Sequence, residues 1–158
     1  MVLTNPDHEQ RLIRDPSKSR PRVLLADDDR TVRFSLSQAL MDEGYEVLQA
    51  ADGVDLLHLL EFDTVDENWT ASADVVVSDI RMPGVTGMEI LEGLTSVDWA
   101  TKVILISAFL DDKVKAQAHE MGVAAVLEKP FPLQALLDAV HRIVPPPELQ
   151  PGHEARAD

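Results

Sequence analysis

Several charged or polar residues in this sequence lie at or just beyond the end of a short apolar run, where a buried strand would end. They are the acidic run Asp27–Asp29, Asp79, Ser107 and Lys129. Carboxylates gathered at one place in a low-dielectric setting repel each other, so a cation must hold them together. Mg²⁺ fits, because it takes oxygen ligands and prefers one or two carboxylates together with water and phosphate oxygens. These residues therefore predict a magnesium site.

The same residues also offer the groups that a phosphoryl transfer needs. Asp79 is the predicted nucleophile, because a carboxylate can carry a phosphoryl group as an aspartyl phosphate. Lys129 supplies a positive charge for the transferring group, and the Ser107 hydroxyl can donate to one of its oxygens. Taken singly, these residues have simpler interpretations. Asp27–Asp29 could cap a helix, and Ser107 could merely end a strand.

The elements that must position these groups follow from hydrophobic periodicity. Five short apolar segments predict strands: Val23–Ala26, Tyr45–Gln49, Asp74–Ser78, Val103–Ile106 and Ala124–Leu127. A helical pattern follows each strand. The pattern is clearest in the last helix, whose apolar positions are Leu133, Leu136, Leu137, Val140 and Ile143. Gly44 and Gly122 are predicted to end the first and fourth helices.

Alternating strands and helices predict an α/β fold with a parallel sheet covered on both faces. Right-handed crossovers leave few topologies, and we expect the doubly wound, flavodoxin-like (βα)5 arrangement with strand order 2-1-3-4-5. In such sheets the functional site lies beyond the carboxyl ends of the strands, where the strand order reverses. Asp27, Asp28, Asp79, Ser107 and Lys129 should therefore meet at this edge.

Composition restricts both the organisation and the class of function. We expect a flexible arm over residues 1–20, one domain over 21–144, and a Pro-rich tail over 145–158. The net charge of −14 comes from 22 acidic and 8 basic residues within 23–144. This surplus of acidic residues argues against direct nucleic-acid binding, which needs clustered Lys and Arg. The chain has no Cys, no membrane-length apolar run and no secretory signal, so we expect no membrane contact and a cytoplasmic location.

Four linked motifs resemble those of bacterial response-regulator receiver domains, over about residues 21–144. They are Leu24-Leu25-Ala26-Asp27-Asp28-Asp29, Ser78-Asp79-Ile80-Arg81-Met82-Pro83-Gly84 with Gly87 three residues further on, Ile106-Ser107-Ala108 and Glu128-Lys129-Pro130-Phe131. The resemblance implies a phosphoacceptor domain of a two-component or phosphorelay system. Such a domain takes a phosphoryl group from the phosphohistidine of a sensor histidine kinase or histidine phosphotransfer protein. It signals by protein–protein interaction, catalysing its own phosphorylation and dephosphorylation without being a conventional enzyme.

The resemblance also implies individual roles. Asp28 and Asp79 would ligate Mg²⁺ directly, the Arg81 backbone carbonyl would be the third protein ligand, and Asp27 would act mainly through a metal-bound water. Ser107 would move toward the phosphate after transfer, and Lys129 would pair with it. Pro130 would follow a cis peptide bond.

Three features depart from the family's usual pattern. Val126 stands where receivers usually carry the Tyr or Phe that reports phosphorylation, so an aromatic rotamer cannot be the readout. The connection between the second predicted helix and the third predicted strand, residues 61–73 with Trp69, is longer than usual. It could be a tolerated surface insertion or a contact for a partner. Arg81 and Phe109 lie two residues beyond Asp79 and Ser107, beside the path of the hydrolytic water in this family. Their size predicts slow self-dephosphorylation.

Other functions remain open at this stage. A receiver without the aromatic readout could serve as a phosphate carrier. A metal-dependent phosphohydrolase would need an Asp-x-Asp pair, but Arg81 occupies the second position. A pseudo-receiver that only binds proteins is disfavoured by the complete set of Asp27, Asp28, Asp79 and Lys129. Only 14 residues follow the last predicted helix, so we expect no output domain within them. A stand-alone receiver and a segment of a longer regulator both fit.

Overall fold

A parallel five-stranded sheet organises the protein. The computed structural model describes residues 20–60, 62–63, 68–69, 73–96 and 101–147. The sheet strands are β1 (Arg22–Ala26), β2 (Glu46–Ala50), β5 (Val75–Asp79), β6 (Lys102–Ser107) and β7 (Ala125–Glu128). The helices are α1 (Arg30–Asp42), α2 (Gly53–Leu60), α3 (Gly87–Ser96), α4 (Asp112–Glu120) and α5 (Leu133–Ile143).

The strand order is β2-β1-β5-β6-β7, and every pair is parallel. Counting only these five strands, the order is 2-1-3-4-5, so the predicted flavodoxin-like topology is confirmed. Each observed strand bound lies within one residue of the predicted one. For example, β2 begins at Glu46, because the Tyr45 N–H instead donates to the Leu40 carbonyl at the end of α1.

The central strands are continuous apolar runs because both of their faces are buried. Alternate residues of β1 belong to different cores: Leu24 packs with α2, α3 and α4, and Leu25 packs with α1 and α5. Val76 and Val77 of β5 divide in the same way.

The last helix shows which part of the predicted apolar stripe reaches the core. Leu136, Leu137 and Val140 are buried, and Ile143 packs against them partly buried. Leu133 at the start of the stripe is 45% exposed, since the helix begins there at the rim of the sheet. The pattern therefore identified the buried face but not where the burial begins.

Side-chain caps and glycines define the helix ends. Thr86 caps α3: its Oγ1 accepts from the Glu89 N–H at 3.2 Å and donates to the Glu89 carboxylate at 3.3 Å. Gly44 and Gly122 have φ of 101° and 84°, a left-handed conformation that favours glycine. The predicted ends of the first and fourth helices are thereby confirmed.

The predicted insertion over residues 61–73 contains a short antiparallel pair. β3 (Phe62–Asp63) pairs with β4 (Asn68–Trp69), with Phe62 opposite Trp69. This ladder was not predicted. The side chains of these four residues lie outside what the structure describes, so the expectation for Trp69 stays a prediction. Most of the predicted arm and tail, residues 1–19 and 148–158, also lies outside the described residues.

Candidate functional site

Three carboxylates meet at the carboxyl edge of the sheet, where the neighbouring strands β1 and β5 end. Ala26 and Ser78 are opposite each other, so Asp27 and Asp79 follow at the next position of each strand. One carboxylate oxygen from each of Asp27, Asp28 and Asp79 lies within 4.8 Å of the others. Asp27 and Asp79 are buried, whereas Asp28 is exposed. The cluster therefore has a buried floor and one ligand open to solvent.

The acidic run at the end of β1 divides into two roles. The Asp29 carboxylate accepts from the Thr31 and Val32 N–H groups at 2.9 and 3.2 Å and so caps α1. The Asp27 Oδ1 accepts from the Asp29 N–H at 2.8 Å. The capping interpretation is therefore correct for Asp29 alone, and Asp27 and Asp28 remain for the site.

Lys129 lies between the two buried carboxylates. Its Nζ donates to Asp27 Oδ2 at 2.7 Å and to Asp79 Oδ2 at 2.8 Å. Its backbone N–H donates to the Ser107 carbonyl at 2.8 Å, and the Lys129–Pro130 bond is cis, as the resemblance implied. Burial alone lowers the pKa of Lys129, but hydrogen bonds and charge from Asp27 and Asp79 outweigh burial and raise it above 10.5. Lys129 is therefore a fixed positive charge at neutral pH.

Asp79 has a defined partner for each carboxylate oxygen. Oδ2 accepts from Lys129, and Oδ1 accepts from the Arg81 N–H at 3.0 Å. The following loop is packed too tightly to shift freely. A Cβ on Gly87 would stand 2.6 Å from the Asp79 carbonyl oxygen, and one on Gly53 would stand 1.9 Å from that of Val85. The starts of α2 and α3 thus pack directly against the segment that carries Asp79.

Ser107 is fully buried at the end of β6, beside β5. Its Oγ accepts from the Phe109 N–H at 3.1 Å and donates to the Phe109 carbonyl at 3.2 Å. The structure brings Ser107 to the same edge as the acidic cluster, but the hydroxyl bonds to its own loop and not to Asp79 or Lys129.

Arg81 and Phe109 form a contact that connects the loops after β5 and β6. The Arg81 guanidinium carbon lies 5.0 Å from the centroid of the Phe109 ring, within cation–π range. Both side chains are exposed, and Phe109 is 69% exposed. The sequence placed both residues beside the site but did not predict that they touch.

Sequence reasoning missed the roles of Arg33 and Gly53, whereas Gly87 already belonged to the motif that resembles the phosphoacceptor loop. The Arg33 Nη1 donates to the Asp27 carbonyl at 2.7 Å. A usable signal was present, because an arginine four residues after a helix cap lies one turn along and can return to the cap loop. For Gly53 no such signal exists, since its role depends on its close approach to Val85, which is distant in sequence.

The donor set suits a hard divalent cation. All three side chains offer carboxylate oxygens, and the exposed Asp28 leaves one side accessible to water. This is the ligand chemistry of Mg²⁺, which keeps several waters and does not require a full protein cage.

A family model described as the response regulator receiver domain matches residues 23–141. The chain belongs to this family. The chain therefore contains the receiver domain of a two-component system, and the acidic cluster and Lys129 lie within that domain. No helix among the described residues has the length and apolar character to cross a membrane.

Relatives of different length match this chain. The chain is 42% identical over 128 residues to the C4-dicarboxylate transport transcriptional regulatory protein DctD of Pseudomonas aeruginosa, covering 80% of this chain but 26% of that protein. It is 28% identical over 124 residues to sporulation initiation phosphotransferase F of Bacillus subtilis, covering 78% of this chain and 94% of that protein. The structure of Vibrio cholerae CheY4 matches with a TM-score of 0.69 at 29% identity, covering 80% of this chain and all of that one.

Val126 occupies the middle of β7, an edge strand, opposite Leu105 of β6. Its side chain is partly buried and packs against the core cluster shared by α2, α3 and α4. Val126 therefore acts as a small apolar residue that packs against the core.

Proposed function

We propose that this receiver domain accepts a phosphoryl group on Asp79 from the phosphohistidine of a sensor histidine kinase or histidine phosphotransfer protein. Asp27, Asp28, Asp79 and the Arg81 carbonyl would hold Mg²⁺. The contact of Lys129 with both Asp27 and Asp79 carries the proposal. This contact keeps the nucleophilic Asp79 carboxylate next to the positive charge of Lys129 at the carboxyl edge of the sheet.

The chain's own groups would divide the work of the transfer. An Asp79 carboxylate oxygen attacks phosphorus, while the bond from phosphorus to the donor imidazole nitrogen breaks and leaves its electron pair on that nitrogen. Lys129 keeps its ammonium against the new phosphate oxygens, and the Ser107 hydroxyl turns from the Phe109 carbonyl toward them. When bound, Mg²⁺ would neutralise charge that develops on the transferring group.

The phosphorylated domain would signal by binding a downstream protein in the cytoplasm, with residues 21–144 as the functional unit. The net charge of −14 supports a protein partner over nucleic acid. We also propose that the domain catalyses its own dephosphorylation slowly. The contact of Arg81 with Phe109 supports this, since these two large side chains, from the loops that follow Asp79 and Ser107, would restrict the approach of water.

Incubation with acetyl phosphate and Mg²⁺, followed by intact-mass measurement, tests the assignment. We expect an adduct of about 80 Da on the wild type, lost in Asp79→Asn and on chelation with EDTA. An adduct that persists in Asp79→Asn would overturn the assignment of Asp79. Rapid release of phosphate over many turnovers, without a stable adduct, would indicate a phosphohydrolase. No adduct and no turnover would indicate a pseudo-receiver.

A phosphate carrier is the second candidate. Val126 supports it, because the position lacks the aromatic ring expected of a conformational readout. The match to a relative named a phosphotransferase, which the chain covers over 94% of its length, also supports it. Return of the phosphoryl group from Asp79 to a histidine phosphotransfer protein would favour the carrier, and its retention would favour the signalling domain.

A further inference from the structure

Arg33 connects helix α1 to the peptide that joins two of the acidic residues. Its Nη1 donates to the Asp27 carbonyl at 2.7 Å, and its side chain is half-buried against that loop. Asp27 itself is fully buried, and its N–H donates to the Ala50 carbonyl on the neighbouring strand. A buried carbonyl needs a donor, and Arg33 provides one where the sheet has ended.

The hydrogen bond fixes the plane of the Asp27–Asp28 peptide. The nitrogen of that peptide belongs to Asp28, so its orientation is one of the factors that set where the Asp28 side chain points. Among the described residues, the Asp28 carboxylate has no hydrogen bond or ion pair, and it is exposed. Its position in the cluster therefore depends on the backbone. The Asp29 N–H on Asp27 Oδ1 fixes one side of the turn, and Arg33 fixes the other.

We propose that Arg33 is a positioning residue for the metal site: it orients the Asp27–Asp28 peptide so that Asp28 joins Asp27 and Asp79 as a ligand. This inference rests on the proposed function, because it requires that the cluster binds Mg²⁺. Arg33 acts through the backbone and does not contact the metal.

If Arg33 acted through its charge, its removal would have the opposite effect on Mg²⁺ affinity. A guanidinium stays positive at every accessible pH, and a cation near the cluster disfavours the binding of a second cation. Removal of Arg33 would then tighten Mg²⁺ binding, whereas removal of a positioning contact weakens it. Arg30 is a matched control: it lies three residues earlier on α1, and its side chain has no hydrogen bond or ion pair among the described residues.

The test is a calorimetric titration of the full chain with MgCl2 at neutral pH. Arg33→Met keeps much of the apolar stem and removes the donor, and Arg33→Ala removes both. We expect each to weaken Mg²⁺ binding by about tenfold, typical of residues that orient metal ligands, and Arg30→Ala to stay within about twofold of the wild type. Unfolding curves in EDTA identify a variant that fails to fold, and the other Arg33 variant then decides.

Unchanged or tighter binding in the Arg33 variants would overturn the proposal, and so would an equal loss in Arg30→Ala. If the wild type shows no saturable Mg²⁺ binding, the proposed metal site fails as well. Saturable binding by the wild type that Arg33→Met leaves unchanged would refute only the role of Arg33.

Discussion

Lys129 and Asp79 are 50 residues apart in the sequence, and the Lys129 Nζ donates to Asp79 Oδ2 at 2.8 Å. The same Nζ contacts Asp27 at 2.7 Å. One lysine therefore compensates two buried carboxylates before any phosphoryl group or metal arrives. This arrangement makes the stability of the domain depend on the same groups that are proposed to carry out its chemistry.

Replacing this lysine should destabilise the metal-free domain. In Lys129→Met, the buried Asp27 and Asp79 lose their shared cation, and we expect a loss of about 2–4 kcal/mol in the free energy of unfolding at pH 7. Urea unfolding in EDTA measures it. Added Mg²⁺ should restore part of the loss, because it supplies the missing positive charge. Equal stability of the two proteins in EDTA would contradict this account.

The raised pKa of Lys129 predicts a dependence on alkaline pH. A pKa above 10.5 in the folded state favours the protonated, folded form, so this contribution is complete below pH 10.5. It is lost as pH rises through the folded-state pKa. Unfolding curves from pH 9 to about pH 12 should therefore show a smaller fall for Lys129→Met than for the wild type. Parallel pH profiles would show that the lysine does not contribute in this way.

Asp28 and Asp29 should respond in opposite ways, although they are adjacent. Asp29→Ala removes the cap of α1 and should cost about 1 kcal/mol of stability, while the acetyl phosphate reaction persists. Asp28→Asn removes a proposed ligand from an exposed position, so it should weaken Mg²⁺ binding with little effect on unfolding. Calorimetric Mg²⁺ titrations and urea unfolding of both variants measure this contrast. Similar losses of metal affinity in both would show that the division of roles is wrong.

Two glycines provide a matched test of the packing behind Asp79. A Cβ on Gly53 would stand 1.9 Å from the Val85 carbonyl oxygen, so Gly53→Ala must displace backbone and should cost more than about 2 kcal/mol. A Cβ on Gly93 meets nothing within 4 Å, so Gly93→Ala in α3 should stabilise by about 0.5–1 kcal/mol. Thermal unfolding of both variants measures the difference. A neutral Gly53→Ala would contradict the close packing.

The contact of Arg81 with Phe109 should control the lifetime of the phosphorylated state. We expect Phe109→Ala to release phosphate several-fold faster than the wild type, because the ring no longer restricts water beside Asp79. Loss of the phosphorylated mass after removal of acetyl phosphate measures the rate. Leu133→Ala, at another exposed apolar position, is the control. A wild-type lifetime of seconds would contradict slow self-dephosphorylation, and an unchanged rate in Phe109→Ala would exclude the ring as its cause.

The sequence by itself determined the order of the five helices and the five strands of the parallel sheet, and the edge at which the site lies. Apolar runs such as Val75–Val77 predict strands buried on both faces, and residues that end parallel strands must share one edge. Asp27, Asp79, Ser107 and Lys129 could therefore be grouped from their positions along the chain. Gly44 and Gly122 were also assigned correctly, because a left-handed helix end is a local requirement.

Only the tertiary structure decided how these groups are connected. Three contacts depend on side-chain directions that periodicity does not specify. Lys129 contacts both carboxylates, Ser107 bonds to its own loop, and Asp29 caps a helix beside Asp28. The roles of Arg33, Gly53 and Gly87 depend on close approach between segments far apart in the chain or across a loop. Sequence patterns indicate which residues are buried and at what spacing the buried positions recur along the chain. Distances between particular atoms arise only when the packed elements meet.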